Sequence, residues 1–164
     1  MRKALIGVMG PGDNASENAI QMGFELGSLI AKEGWVTLSG GRDKGVMGSV
    51  NKGAKSQNGL TLGIIPASDN SYTSDDVDIA IVTGMGSARN NINILSADAL
   101  IVVAESIGSG TASEACLALK ANKSIVLLSP DNTTQSFFEN LGKDLTHTVQ
   151  TPQKAITKVK ELLS

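Results

Sequence analysis

The apolar run Ala99-Leu100-Ile101-Val102-Val103-Ala104 precedes Gly108-Ser109-Gly110-Thr111-Ala112-Ser113-Glu114, and Ala115 to Ala121 follows. A run with no polar alternation reads as a strand buried on both faces. Such strands belong to parallel sheets covered by helices. Ala115 to Ala121 reads as a helix. A Gly-x-Gly-Thr loop between the two gathers backbone N–H groups at the positive end of a helix dipole. This is an anion site, with phosphate as its usual occupant. Glu114 lies one turn inside the helix, a carboxylate beside an anion cradle.

The same alternation runs through the whole chain. Ala4–Val8, Trp35–Ser39, Leu60–Ile65, Ile79–Val82, Ala99–Ala104 and Ser124–Leu128 read as strands, and Thr146–Val149 as a short edge strand. A helix capped by Ser16 or Asn14 extends to about Glu33, with Ala19, Met22, Leu26, Leu29 and Ile30 on one stripe, and Gly34 stops it. Further helices are expected over Val46–Ser56, Ser87–Ser96, Gln135–Leu141 and Pro152–Leu163. Ala67–Val77 is polar and reads as a solvated loop. Its neighbouring aspartates, Asp69, Asp75, Asp76 and Asp78, fit no calcium-loop spacing. The pattern predicts one α/β domain over residues 1–164: a Rossmann-like, doubly wound, mostly parallel sheet with helices on both faces.

Composition narrows the function. A net charge of −2 without blocks of Lys or Arg argues against nucleic acid or an anionic membrane as partner. Cys116 is the only cysteine, expected as a free buried thiol, and His147 is the only histidine. Neither a disulfide framework nor a zinc set can be built from them. No metal site is expected. The start Met1-Arg2-Lys3-Ala4-Leu5-Ile6-Gly7-Val8 is too short for a signal-peptide core, and a cytoplasmic location is expected.

Ligands of doubly wound sheets bind beyond the carboxyl ends of the strands. Four exit loops there are rich in glycine: Met9-Gly10-Pro11-Gly12, Ser39-Gly40-Gly41-Arg42, Gly84-Met85-Gly86-Ser87-Ala88-Arg89-Asn90, and Gly108 to Glu114. Together they predict a shallow, backbone-lined pocket with one or two arginines. Dinucleotide binding is excluded. Gly7 to Gly12 lacks the Gly-x-Gly-x-x-Gly spacing, and Ser39-Gly40-Gly41 offers no acid for a ribose. There is no Gly-Lys-Ser/Thr for a P-loop.

In order along the chain stand Ser39-Gly40-Gly41-x-x-x-Gly45-Val46-Met47-Gly48, Gly84-Met85-Gly86-x-x-Arg89-Asn90 and Gly108-x-Gly110-Thr111-x-x-Glu114. This series resembles the Rossmann-like family often misannotated as lysine decarboxylases. The family includes the Lonely Guy cytokinin-activating phosphoribohydrolases and the molybdenum cofactor carrier proteins. The short chain, the Gly-Val-Met-Gly-Pro-Gly start and the Gly-Met-Gly-x-Ala-Arg-Asn segment look most like the carrier branch. In the hydrolase branch the signature is Pro-Gly-Gly-x-Gly-Thr-x-x-Glu. Here Ser106 and Ile107 replace the Pro and first Gly, and Asn90 stands where a Lys follows the matching Arg89. Ile107 is expected to narrow or reshape the cradle.

The resemblance implies a binding protein whose cargo is molybdenum cofactor, held as a small anionic ligand: a pterin phosphate with an oxyanionic metal group. The expected pocket comprises Gly10, Pro11, Gly40, Gly41, Arg42, Gly45, Val46, Met47, Met85, Ser87, Arg89, Asn90, Ser106, Ile107, Gly108, Ser109, Gly110, Thr111 and Glu114. The alternative is an enzyme splitting nucleoside 5′-monophosphates at the N-glycosidic bond, with Arg89 and Glu114 catalytic. Plainer roles stand beside these. Glu114 pairs with Arg89 or Arg42 to hold loops, Arg42 is solvated, Thr111 merely starts a helix, and Met9, Met47 and Met85 are core. A homo-oligomer, dimer or tetramer, is implied by the resemblance.

Overall fold

The computed structural model describes residues 2–164. Seven strands form one sheet: β1 (Leu5–Met9), β2 (Val36–Ser39), β3 (Leu60–Ile65), β4 (Ile79–Val82), β5 (Ala99–Val103), β6 (Ile125–Leu128) and β7 (Thr146–Val149). The order is β4-β3-β2-β1-β5-β6-β7 and every pair is parallel, so the sheet expected to be mostly parallel is wholly so. The chain builds outward from β1 through β2 and β3 to β4, then returns to the other side of β1 as β5. The exit loops of β1 and β5 therefore diverge and leave a crevice between them.

Six helices cover the sheet: α1 (Glu17–Lys32), α2 (Gly45–Lys55), α3 (Arg89–Ser96), α4 (Ser109–Lys120), α5 (Asn132–Gly142) and α6 (Pro152–Leu163). Alternation along β5 sends side chains to two cores. Ala99, Ile101 and Val103 pack with Leu26 and Ile30 of α1, Val50 of α2 and Val159 of α6. Leu100 and Val102 pack with Ile94 of α3, Ala115 and Leu119 of α4 and Phe138 of α5. Burying a branched side chain on each face contributes roughly 1.5–3 kcal/mol apiece, which is why this strand was readable as a plain apolar run.

Caps fix the helix starts. Ser16 accepts a hydrogen bond from the Ala19 amide at 3.0 Å. Asp131 does the same for Thr134 at 2.7 Å, and so α5 starts before the expected Gln135. Strand β1 runs through Met9 rather than ending at Val8. Ser87 makes no cap; a 3-10 turn over Gly86–Ala88 leads into α3. The largest shift is at α4. The Gly-x-Gly-Thr stretch read as a loop is already helical from Ser109, with Gly108 as the capping residue.

No helix joins β3 to β4. The polar loop between them is tied down instead by the Ser74 amide donating to Gly41 O at 2.8 Å, and by Asp78. The Asp78 carboxylate accepts from the Thr61 amide at 2.9 Å and from Lys55 at 2.6 Å. Among the described residues no helix is long and apolar enough to cross a membrane.

Candidate functional site

A cavity of about 590 Å³ opens at the crevice between the β1 and β5 exits. Its walls are Gly10 to Asn14 after β1, Gly40 and Arg42 after β2, Met47 of α2, Gly86 and Ser87 with Arg89 and Asn90 of α3, and Ser106 with Gly108 to Thr111 and Glu114 at the start of α4. The volume lies within the usual range for small-molecule sites.

Local sequence explains each wall. Ser106 adopts a left-handed conformation (φ 54°), which turns the chain out of β5 toward the α4 start. Gly108 and Gly110 have no protein atom within 4 Å of where a Cβ would stand, so their backbone is bare toward open space. Gly108 has φ −93°, a conformation open to any residue; fold geometry does not demand glycine there. Gly40 is different. A Cβ on it would strike the Arg89 guanidinium and the Met47 sulfur.

Arg89 is 8% exposed. Its Nη1 donates to Gly40 O at 2.6 Å and Ile64 O at 2.5 Å, and its buried Nε has no partner. Burial, with Glu114 opposing and Arg42 reinforcing, holds its pKa below the ordinary arginine value. Glu114 is not ion-paired to either arginine. Its Oε1 accepts from Asn93 Nδ2 at 3.0 Å. Burial raises its pKa above the ordinary carboxylate value, against the lowering effects of Asn93 and Arg89. Asn93 is wholly buried on α3 one turn beyond Arg89, and its Oδ1 has no partner. Asn90 Nδ2 donates to Ser113 Oγ at 3.2 Å, and that hydroxyl donates to Gly110 O at 2.7 Å, joining α3 to α4. The site thus has a bare amide end at α4, a buried guanidinium, and a carboxylate seated by an amide.

The chain matches the SLOG cluster4 family over residues 3–156. It belongs to that family. It is 48% identical to the molybdenum cofactor binding protein of Rippkaea orientalis, covering 100% of this chain and 99% of that one with a TM-score of 0.97. It is also 48% identical to the molybdenum cofactor carrier protein of Chlamydomonas reinhardtii, covering 99% of each chain with a TM-score of 0.91. A cytokinin riboside 5′-monophosphate phosphoribohydrolase of Mycobacterium tuberculosis is 32% identical over 92 residues, which is 55% of this chain and 49% of that protein. The likeness read from the glycine motifs is thereby upheld at the level of family and fold.

In this SLOG cluster4 protein most of the expected site residues share the one cavity. Gly10, Pro11, Gly40, Arg42, Met47, Ser87, Arg89, Asn90, Ser106, Gly108, Ser109, Gly110, Thr111 and Glu114 all line it. Gly41, Gly45, Val46, Met85 and Ile107 do not. Gly41 (φ 73°) and Gly45 (φ 46°) shape the turn into α2, and Val46 is fully buried in the core. Met85 is 50% exposed on the outer surface. Ile107 packs against the α3–α4–α5 core instead of lining the cavity. Cys116 is half-buried rather than buried. Val8, Asp13, Asn14 and Pro66 line the cavity unforeseen. Asn93 was missed too, since an asparagine on the buried side of a helix has no motif; its spacing of four from Arg89 was the available signal.

Proposed function

We propose that this chain is a binding protein that stores and carries molybdenum cofactor, in the pocket at the carboxyl ends of the strands. The observation that carries the reading is the full-length likeness, at 48% identity, to proteins named for binding and carrying that cofactor. The pocket fits such a cargo. The bare backbone of Gly108 and Gly110 lets a phosphate or oxo group reach N–H donors at the start of α4. Arg42 on the rim and Arg89 in the wall supply positive charge. Carriage needs no general acid, and the cradle has room for an anion that a Cβ would displace. A cytoplasmic location goes with a chain whose one cysteine is free.

The test is retention of cargo. Protein purified without oxygen is expected to carry molybdenum and pterin. Gly108→Val is expected to lose both while melting close to the wild type, because no protein atom opposes the new side chain. Undiminished retention in that variant would contradict this location.

A second reading rests on Arg89 and Glu114 lining one cavity in a chain that is also 32% identical to a phosphoribohydrolase over part of its length. It predicts release of free base from a panel of nucleoside 5′-monophosphates, abolished in Glu114→Ala. The carrier reading predicts no release. We further propose that the protein works as a homo-oligomer. β4 is apolar and exposed along its whole length, with Ile79 at 45% and Ile81 at 43%, and a second copy is the occupant that would cover it.

A further inference from the structure

A carboxylate in a pocket built for an anion needs its own explanation. Glu114 lines the cavity one turn along α4 from the amides of Gly108 to Gly110. Facing a phosphate, it would repel it. Facing a donor group, it would anchor the other end of the same ligand. Three observations favour the donor. Glu114 has no arginine or lysine partner within ion-pair distance, so its charge is not used up inside the protein. Only Oε1 is engaged, by Asn93 Nδ2 at 3.0 Å, and Oε2 makes no hydrogen bond among the described residues. Asn93, 0% exposed and outside the cavity lining, fixes Oε1 from within the protein and leaves Oε2 of the half-buried, cavity-lining Glu114 to a ligand. A carboxylate oxygen left open to a cavity while its partner oxygen is anchored is a ready acceptor for a ligand N–H.

Resting on the carrier reading, we propose that Glu114, seated by Asn93, reads the 2-amino-4-oxopyrimidine edge of the ligand. That edge presents two parallel N–H donors, the ring N–H and the 2-amino group, which match a carboxylate in the fork geometry that also serves arginine pairs. The α4 amides hold the anionic end and select for charge. Glu114 selects the ring. Asn93 is a positioning residue that turns the carboxylate plane toward the cavity. The edge occurs in pterins and in guanine, and the pterin is the occupant proposed.

The experiment measures affinities of a pterin monophosphate ester, its lumazine counterpart with oxygen in place of the 2-amino group, guanosine 5′-monophosphate and adenosine 5′-monophosphate. The full chain is used, as wild type, Glu114→Gln and Asn93→Ala. Wild type is expected to favour the pterin ester over the lumazine ester by about tenfold or more, the range of charge-assisted hydrogen bonds. The pterin-to-lumazine ratio is expected to collapse toward one or invert in Glu114→Gln, whose amide complements the lumazine edge, and to shrink in Asn93→Ala. A merely structural role for Glu114 would leave the ratio unchanged while weakening both ligands together. An unchanged ratio, or adenosine 5′-monophosphate, which lacks this edge, bound as tightly as guanosine 5′-monophosphate, overturns the proposal. Wild-type protein that retains molybdenum cofactor yet shows no pterin preference sinks this inference alone. Wild-type protein that binds neither cofactor nor pterin ester sinks the carrier reading with it.

Discussion

Glu114 illustrates how one residue is placed at odds with stability. Because burial raises its pKa in the folded protein, the folded state holds this proton more tightly than the unfolded chain does. Its contribution to stability is therefore full below the ordinary carboxylate pKa and is lost as pH rises through the raised value. Glu114→Gln removes the titration and keeps the shape. The melting temperature of the variant is expected to equal or exceed that of the wild type at neutral pH, and the wild-type decline across that window is expected to vanish. Melting curves recorded from acid to neutral pH check this; a variant markedly less stable at neutral pH would show that the carboxylate is structural. Gly40 sits at the opposite pole. Gly40→Ala puts a methyl group against Arg89, whose Nη1 bonds to Gly40 O and Ile64 O would be broken. A loss of about 2–4 kcal/mol in chemical denaturation is expected, as for other disrupted buried networks.

At the scale of elements, α3 holds the site because its ends are fixed. Its first turn carries Arg89 and Asn90. Its last turn is held by Lys123, whose ammonium donates to Ile94 O and Leu95 O at 2.9 Å and to Ala97 O at 2.6 Å. Lys123→Met keeps the stem and removes three charge-assisted bonds. It is expected to cost about 1.5–3 kcal/mol and to weaken cargo binding by loosening Arg89 and Asn93. Denaturant titration and cargo retention together check this, and an unaltered midpoint would contradict it.

The elements were largely legible in the sequence because burial writes itself in apolar runs. Ala99 to Val103 reads as a strand for that reason, and the stripe from Ala19 to Ile30 reads as a helix. The start of α4 did not, since Gly-Ser-Gly-Thr offers neither apolar periodicity nor a side-chain cap. Site positions on exit loops were legible through their glycines. The Asn93–Glu114 contact was not, because it joins two helices across 21 positions and depends on how α3 and α4 pack. Ile107 was misplaced for the same reason. Its β-branched side chain packs, partly buried, against the core just after the left-handed turn at Ser106.

In the whole molecule, strand order and function meet at the reversal between β1 and β5. All the lining loops leave the same end of a wholly parallel sheet, so one cavity collects residues from Val8 to Glu114. The other consequence of this order is the bare edge at β4, reached without a covering helix. Ile79, Ile81 and Val82 are each at least 40% exposed there. Light scattering is expected to give a mass above that of one chain, and Ile81→Lys to shift it to the monomer. A wild-type monomer at micromolar concentration would contradict the homo-oligomer.

The proposed cargo of this cavity is molybdenum cofactor. The most direct measurement is a mass spectrum, with metal analysis, of whatever is released from wild-type protein purified without oxygen. A phosphorylated pterin together with molybdenum is expected, absent from Gly108→Val prepared in parallel. A ligand-free wild type that instead releases base from nucleotides, an activity lost in Glu114→Ala, would contradict it.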